Sequence, residues 1–260
     1  MSGIRSEVTE ARRVVVKVGS SSISGENASQ IGPLVAALAE LHVRGVQVVL
    51  VSSGAIATGL PHLELSSRPT DLATQQAAAA VGQSLLVHKY QESLNRFGIV
   101  AAQVLLTAGD IDNPTHRGNA QRAMERLLEL RILPIVNEND TVATQEIRFG
   151  DNDRLAALVA ELVDAELLVL LSDVDALYTR PPSEPGAIPI PFVAHDDQLA
   201  GVELGAVGSA GVGTGGAGSK IAAAKFAAAS GTPVLLTSAT RVADALAGYE
   251  IGTWFEAVPR

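Results

Sequence analysis

A chain of 260 residues with 47% apolar but only 3% aromatic side chains can bury a sizeable core, and that core is built from Ala, Val and Leu rather than rings. A formal net charge of −9 argues against a nucleic-acid partner, because phosphate backbones call for basic patches, yet a single nucleotide needs only a few local cations. The lack of cysteine excludes disulfides, thiolate metal sites and cysteine catalysis, and it fits a cytoplasmic protein. No apolar run approaches the ~20 residues of a membrane span. Residues 1–13 mix charges of both signs without the apolar stretch of a signal peptide.

In chain order, residues 13–19 read as a strand that ends in a Gly/Ser turn, and 31–43 carry the apolar spacing of a helix (Leu34, Leu38, Leu41). A second buried strand, 46–51, runs into Ser52-Ser53-Gly54. A long Ala-rich helix follows at 71–96, with Thr70 or Asp71 as its cap. Next come a strand at 99–106, a helix at 119–131 and a strand at 133–136. Beyond an acidic loop, residues 154–162 read as a helix and 167–171 as a very apolar strand entering Ser172-Asp173. A proline-rich loop (181–191), a Gly-rich segment (201–218), a helix (219–230), a strand (233–236) and a last helix (239–247) complete the chain. Strands alternating with helices predict an α/β fold, a three-layer sandwich whose mainly parallel central sheet has helices on both faces. With no internal repeat and no linker between two cores, residues 1–260 read as one domain.

The densest chemistry lies in residues 137–153, where five carboxylates and four amides gather between a strand end and a helix start. Ligands of open α/β sheets bind at the carboxyl ends of strands. Such a cluster suits a small molecule bearing ammonium and carboxylate groups, although a solvated acidic loop has the same composition. Lys17 sits in an apolar strand just before Gly19-Ser20-Ser21-Ser22, where it needs an anion unless it snorkels from an edge. Ser52-Ser53-Gly54-Ala55 repeats the pattern of strand, small residues and helix start, as would any tight strand–helix turn. Gly213, Gly215 and Gly218 match the G-x-G-x-x-G spacing but follow no strand, and Gly218-Ser219-Lys220 departs from a P-loop, which has Lys directly after its last Gly. A loop that covers phosphates and delivers Lys220 from a helix start accounts for the run better; a plain linker is the other reading. Ser172-Asp173 is a candidate nucleotide contact, with Asp175 and Tyr178 close behind. The five histidines show no metal-ligand spacing, and no metal site is assigned.

Taken in order along nearly the whole chain, these motifs resemble the amino acid kinase family. They are Val16-Lys17-Val18-Gly19-Ser20-Ser21, Val51-Ser52-Ser53-Gly54-Ala55-Ile56-Ala57, the stretch from Gln76 to Gln83, residues 137–153, Leu171-Ser172-Asp173, and Gly213-Thr214-Gly215-Gly216 through Lys220. The block at 137–153 is similar to the branch of that family that acts on glutamate. The lysine and glycine motifs are shared with its kinases for acetylglutamate, aspartate, carbamate and UMP. Where the acetylglutamate enzymes have two glycines after the first lysine, this chain has Gly19-Ser20.

The resemblance implies the amino acid kinase fold and ATP-dependent phosphorylation of the γ-carboxylate of L-glutamate, the first step of proline synthesis. It implies that Lys17 and Lys220 hold the transferring phosphoryl group and that Asp153 orients them. It implies that Ser53, Asp140 and Asn152 bind glutamate. Lys17, Ser172, Asp173, Thr214, Gly215, Gly216, Ala217, Gly218, Ser219 and Lys220 would contact ATP, with Mg2+ carried by the nucleotide. A homo-oligomer (dimer or tetramer), feedback inhibition by proline and coupling to glutamate-5-semialdehyde dehydrogenase are further expectations from the resemblance. Many members of this branch carry a C-terminal PUA domain of roughly a hundred residues, and the chain reads as the kinase domain without it. Ala217 stands where the family usually has Met. The alternatives are a sibling kinase for another carboxylate such as N-acetylglutamate, a non-catalytic nucleotide sensor on the same fold, and a Rossmann dehydrogenase, which lacks its strand before Gly213.

Overall fold

The computed structural model describes residues 4–65, 67, 69–142, 152–203 and 216–259. Ten strands are present among them: β1 (Arg13–Val18), β2 (Gln47–Ser52), β3 (Ala101–Leu106), β4 (Leu133–Glu138), β5 (Leu167–Ser172), β6 (Leu177–Tyr178), β7 (Pro189–Ile190), β8 (Phe192–Val193), β9 (Val234–Ser238) and β10 (Thr253–Phe255). Eight form one sheet in the order β3-β4-β2-β1-β5-β9-β10-β8, while β6 and β7 pair separately. From β3 across to β9 every pairing is parallel, and β10 returns antiparallel to β9. The mainly parallel α/β architecture expected from the sequence is therefore present.

The order places β1 at a switch point. The chain leaves β1 toward β2 on one side and later fills β5 on the other, so loops diverge at the carboxyl end of β1 and leave a crevice there. Side chains alternate along the strand. Val14, Val16 and Val18 enter one core layer with the Ile31–Val43 helix and with Leu86, Tyr90 and Leu94 of the Leu72–Asn95 helix. Val15 enters the opposite layer with Leu155, Ala156 and Val159 of the Asn152–Leu162 helix and Ala223, Ala224 and Ala227 of the Ala217–Ala229 helix. Lys17 shares the face of Val15 and so points toward those two helices.

Element boundaries follow local chemistry. Asp71 caps the Leu72–Asn95 helix by accepting from the Thr74 amide at 2.8 Å, as the sequence indicates. The helix expected from 119 starts earlier, at Pro114, because Asn113 caps it and proline suits the first helical position. The helix expected over 239–247 divides into a 3-10 turn (Ala239–Arg241) capped by Ser238 and a short helix, Val242–Leu246. Part of the proline-rich loop is strand β7, which pairs with β6. The only tryptophan, Trp254, lies in β10 with Arg5 stacked 5.4 Å from its ring centroid.

The Leu72–Asn95 helix crosses the short Ala55–Gly59 helix at backbone contact distance. A Cβ on Gly82 would lie 1.8 Å from the carbonyl oxygen of Ala55, and one on Gly59 would lie 2.0 Å from that of Ala78. Only glycine fits at either place. This crossing fixes Gln83 relative to the Ser53-Gly54 turn. Gly82→Ala is expected to lower stability by about 3 kcal/mol or more, since rigid backbone must move. Gly32→Ala, in a helix with open space around it, should instead gain about 0.5–1 kcal/mol. Chemical denaturation of both variants checks this; a Gly82→Ala variant as stable as the parent would contradict the close crossing.

Candidate active site

Three charged side chains meet beside the carboxyl end of β1. The Lys17 ammonium is 2.5 Å from Oδ1 of Asp153, and the Lys220 ammonium is 3.2 Å from Oδ2. All three residues are buried. Asp153 lies in the first turn of the Asn152–Leu162 helix, where the partial positive charge of exposed amides favours a carboxylate. Lys220 is in the first turn of the Ala217–Ala229 helix, which begins two residues before the expected start. The Ser219 hydroxyl lies 2.9 Å from Oδ2 of Asp153 and 3.0 Å from the Gly216 carbonyl oxygen. Burial by itself would push the Asp153 carboxyl up. Lys17 and then Lys220, with the Ser219 hydroxyl, outweigh it and bring the pKa down to about 2. Asp153 is thus a committed anion. Two ammonium groups converge on one carboxylate at the carboxyl end of β1.

Toward β2 and β4 the site becomes a network of neutral polar groups. Asn152 donates through Nδ2 to the Ser53 hydroxyl oxygen at 2.9 Å and to Oδ1 of Asn137 at 3.0 Å. Asn137, near the end of β4, donates to Oε1 of Gln83 at 2.7 Å. The Ser53 amide donates to the Val18 carbonyl, which ties this turn to the end of β1. Ser52 and the fully buried Tyr90 share a hydrogen bond of 2.9 Å beneath it. Burial raises the Tyr90 phenol above its usual range despite that bond. Asp140 is half-buried two residues beyond β4, on the same end of the sheet.

On the other side of β1, Ser172 ends β5 and donates to Oδ1 of the exposed Asp173 at 3.0 Å. The Tyr178 hydroxyl donates to Asp175 at 2.8 Å. Gly216, Ala217 and Gly218 lead directly into Lys220, whereas Thr214 and Gly215 lie outside the described residues. Among the sequence-derived candidates, Lys17, Asp153, Lys220 and Ser219 make one cluster, and Ser53 and Asn152 make an adjoining one. The junction between them is Asn152-Asp153 itself. Asp140, Ser172 and Asp173 sit on the same end of the sheet. Gln83 and Asn137 fall within the family-like stretches of the sequence, which give neither an individual role. The available signal was a glutamine in an otherwise Ala-rich helix and an asparagine at the end of an apolar strand.

The sequence model of the amino acid kinase family matches residues 12–238. Glutamate 5-kinase from Leifsonia xyli subsp. xyli is 72% identical over 251 residues, covering 96% of this chain and 93% of that protein. Glutamate 5-kinase from Streptomyces coelicolor is 56% identical over 264 residues, covering all of this chain and 71% of that protein. Among solved structures, carbamate kinase from Giardia lamblia bound to AMP-PNP superposes with a TM-score of 0.68 at 18% identity, covering 95% of this chain and 99% of that one, a likeness of fold. With the matched region spanning every strand of the parallel sheet, the chain belongs to the amino acid kinase family.

Proposed function

We infer that the chain transfers the γ-phosphoryl group of ATP to the γ-carboxylate of L-glutamate, giving L-glutamyl 5-phosphate on the route to proline. The observation that carries this reading is the buried Lys17–Asp153–Lys220 triad at the sheet's switch point. Relatives that are 72% identical and named for this activity support the choice of acceptor.

The chemistry asks little of a general base. A carboxylate with a pKa of about 4 is already ionised at neutral pH. One of its oxygens attacks the γ-phosphorus in line while the bond from phosphorus to the bridging oxygen breaks, and ADP leaves with that electron pair. Alignment and charge neutralisation are what the protein must provide. In this reading Lys17 and Lys220 meet the oxygens of the transferring group, and Asp153 holds both ammonium groups in place. With its pKa held near 2, Asp153 is a poor proton acceptor and acts as an orienting group. A magnesium ion brought in with ATP would supply further charge neutralisation at the phosphates, while Asp153 stays engaged with the two lysines.

Ser53, Asp140 and Asn152 are assigned to glutamate, and Lys17, Ser172, Asp173 and residues 214–220 to ATP. The two substrates then lie on opposite sides of β1. We take residues 1–260 as a single kinase domain that acts as a homo-oligomer in the cytoplasm. No helix among the described residues is long and apolar enough to cross a membrane. Proline shares the α-nitrogen and α-carboxylate of glutamate and so would compete in the same pocket. The acyl phosphate product is reactive, which favours a neighbouring reductase such as glutamate-5-semialdehyde dehydrogenase.

Lys17→Ala and Lys220→Ala should each cut kcat by roughly 10²–10³-fold, the usual cost of removing one transition-state charge contact. ADP release with glutamate and with N-acetylglutamate checks this and the choice of acceptor; near-normal turnover in either variant would remove the two-lysine mechanism. Asp140→Asn should raise the KM for glutamate about tenfold, as expected for one charge-assisted bond, and the KM for ATP far less. Equal shifts would place Asp140 outside the glutamate pocket.

Asp153→Asn leaves two buried ammonium groups without their counter-charge and should cost about 3–5 kcal/mol of stability. Because the folded-state pKa is depressed, the contribution of Asp153 is fully present above its ordinary value of 3.8 and is lost as pH falls toward 2. The stability gap between parent and variant should therefore be flat at neutral pH and close in acid. A gap that instead widens on acidification would contradict the assignment.

A further inference from the structure

Asn152 has a polarity that the backbone dictates. The amide of Glu138 donates to Oδ1 of Asn137 at 2.9 Å, so that oxygen cannot exchange places with Nδ2 without setting two donors against each other. Nδ2 of Asn137 is thereby directed to Oε1 of Gln83, and Oδ1 of Asn137 also receives Nδ2 of Asn152. The second proton of Asn152 Nδ2 goes to Ser53. Both donors of Asn152 are then used, and its Oδ1 is a buried acceptor with no hydrogen-bond partner among the described residues. Asn152 is 3% exposed and Asn137 1%. A buried acceptor left without a donor is costly, and such groups persist where a ligand brings the missing partner. Ser53 accepts from Asn152, which leaves its own O–H proton to be donated.

We propose that Gln83 is a positioning residue which, through Asn137, orients Asn152 so that Oδ1 accepts from the α-ammonium of the amino-acid substrate while the Ser53 hydroxyl donates to its α-carboxylate. An acceptor and a donor side by side match a zwitterion in one orientation only. The proposal rests on the glutamate reading above, and it makes recognition of the α-nitrogen depend on a side chain one step removed from Asn152, on the Leu72–Asn95 helix. Gln83 follows Gly82, whose close contact with the Ala55 carbonyl fixes the helix backbone there.

The test compares glutamate with glutarate, which has both carboxylates but no ammonium. Gln83→Met keeps size and removes the acceptor for Asn137. Gln83→Glu restores an acceptor at the same atom. Gln83→Ala, well suited to an Ala-rich helix, serves if the methionine variant is too unstable. Measured are the KM for glutamate, the KM for ATP, the competitive inhibition constant of glutarate, and Tm. The preference for glutamate over glutarate should fall about tenfold in Gln83→Met or Gln83→Ala, as one hydrogen bond to a charged group loses its alignment. The KM for ATP should move much less, and Gln83→Glu should recover most of the preference. A purely structural glutamine would lower Tm and weaken both ligands alike, leaving the preference unchanged; that result overturns the proposal, as does a Gln83→Glu variant no better than Gln83→Met. If the parent protein phosphorylates no glutamate at all, it is the underlying functional reading that fails.

Discussion

One buried carboxylate holds the centre of this molecule together. Lys17 comes from the first strand and Lys220 from near the last parallel one, and neither ammonium would be tolerated at its depth without Asp153. The attraction joins the two halves of the sheet at the carboxyl end of β1. In the proposed mechanism, stability and chemistry therefore depend on the same two ion pairs.

The arrangement follows from simple periodicities. Alternation along β1 sends Val14, Val16 and Val18 to one layer, and Val15 and Lys17 to the other. The helix that covers Lys17 starts at Asn152, so its first turn offers Asn152 toward β2 and β4 and Asp153 toward β1. Two consecutive residues thus serve two neighbouring clusters, one neutral and one charged. The glycine contact between the helices at Ala55 and Gly82 sets the outer wall of the neutral cluster at backbone precision, where longer side chains would have left play.

Much of this was legible in the sequence. Lys17 stands out because an apolar strand has no other use for a lysine, and Lys220 because a run of glycines delivers it to a helix start. Asp153 is assigned through family likeness, since composition alone does not choose it from the five carboxylates of residues 137–153. Its bond to Ser219 spans 66 positions, a pairing that no local pattern announces. The Pro114 start was written in Asn113-Pro114 and simply outweighed by the weak apolar spacing that follows. Strands β6, β7, β8 and β10 hold two or three residues each, too few to show a period. Gln83 and Asn137 were hidden for a different reason: amide polarity is a property of the assembled network, and no spacing in one dimension carries it.

The aromatic-poor core has a practical consequence for spectroscopy. With one tryptophan in the chain, held in β10 beneath the guanidinium of Arg5, selectively excited tryptophan emission has a single source, three strands away from β1. That source senses how residues near the start of the chain dock on the sheet's far edge. An optical unfolding curve would follow the loosening of that edge, and a silent emission signal on adding an amino acid would carry no information about occupancy of the cleft. Amide hydrogen exchange or calorimetry, which sample the whole sheet, are the appropriate observables for events at its centre.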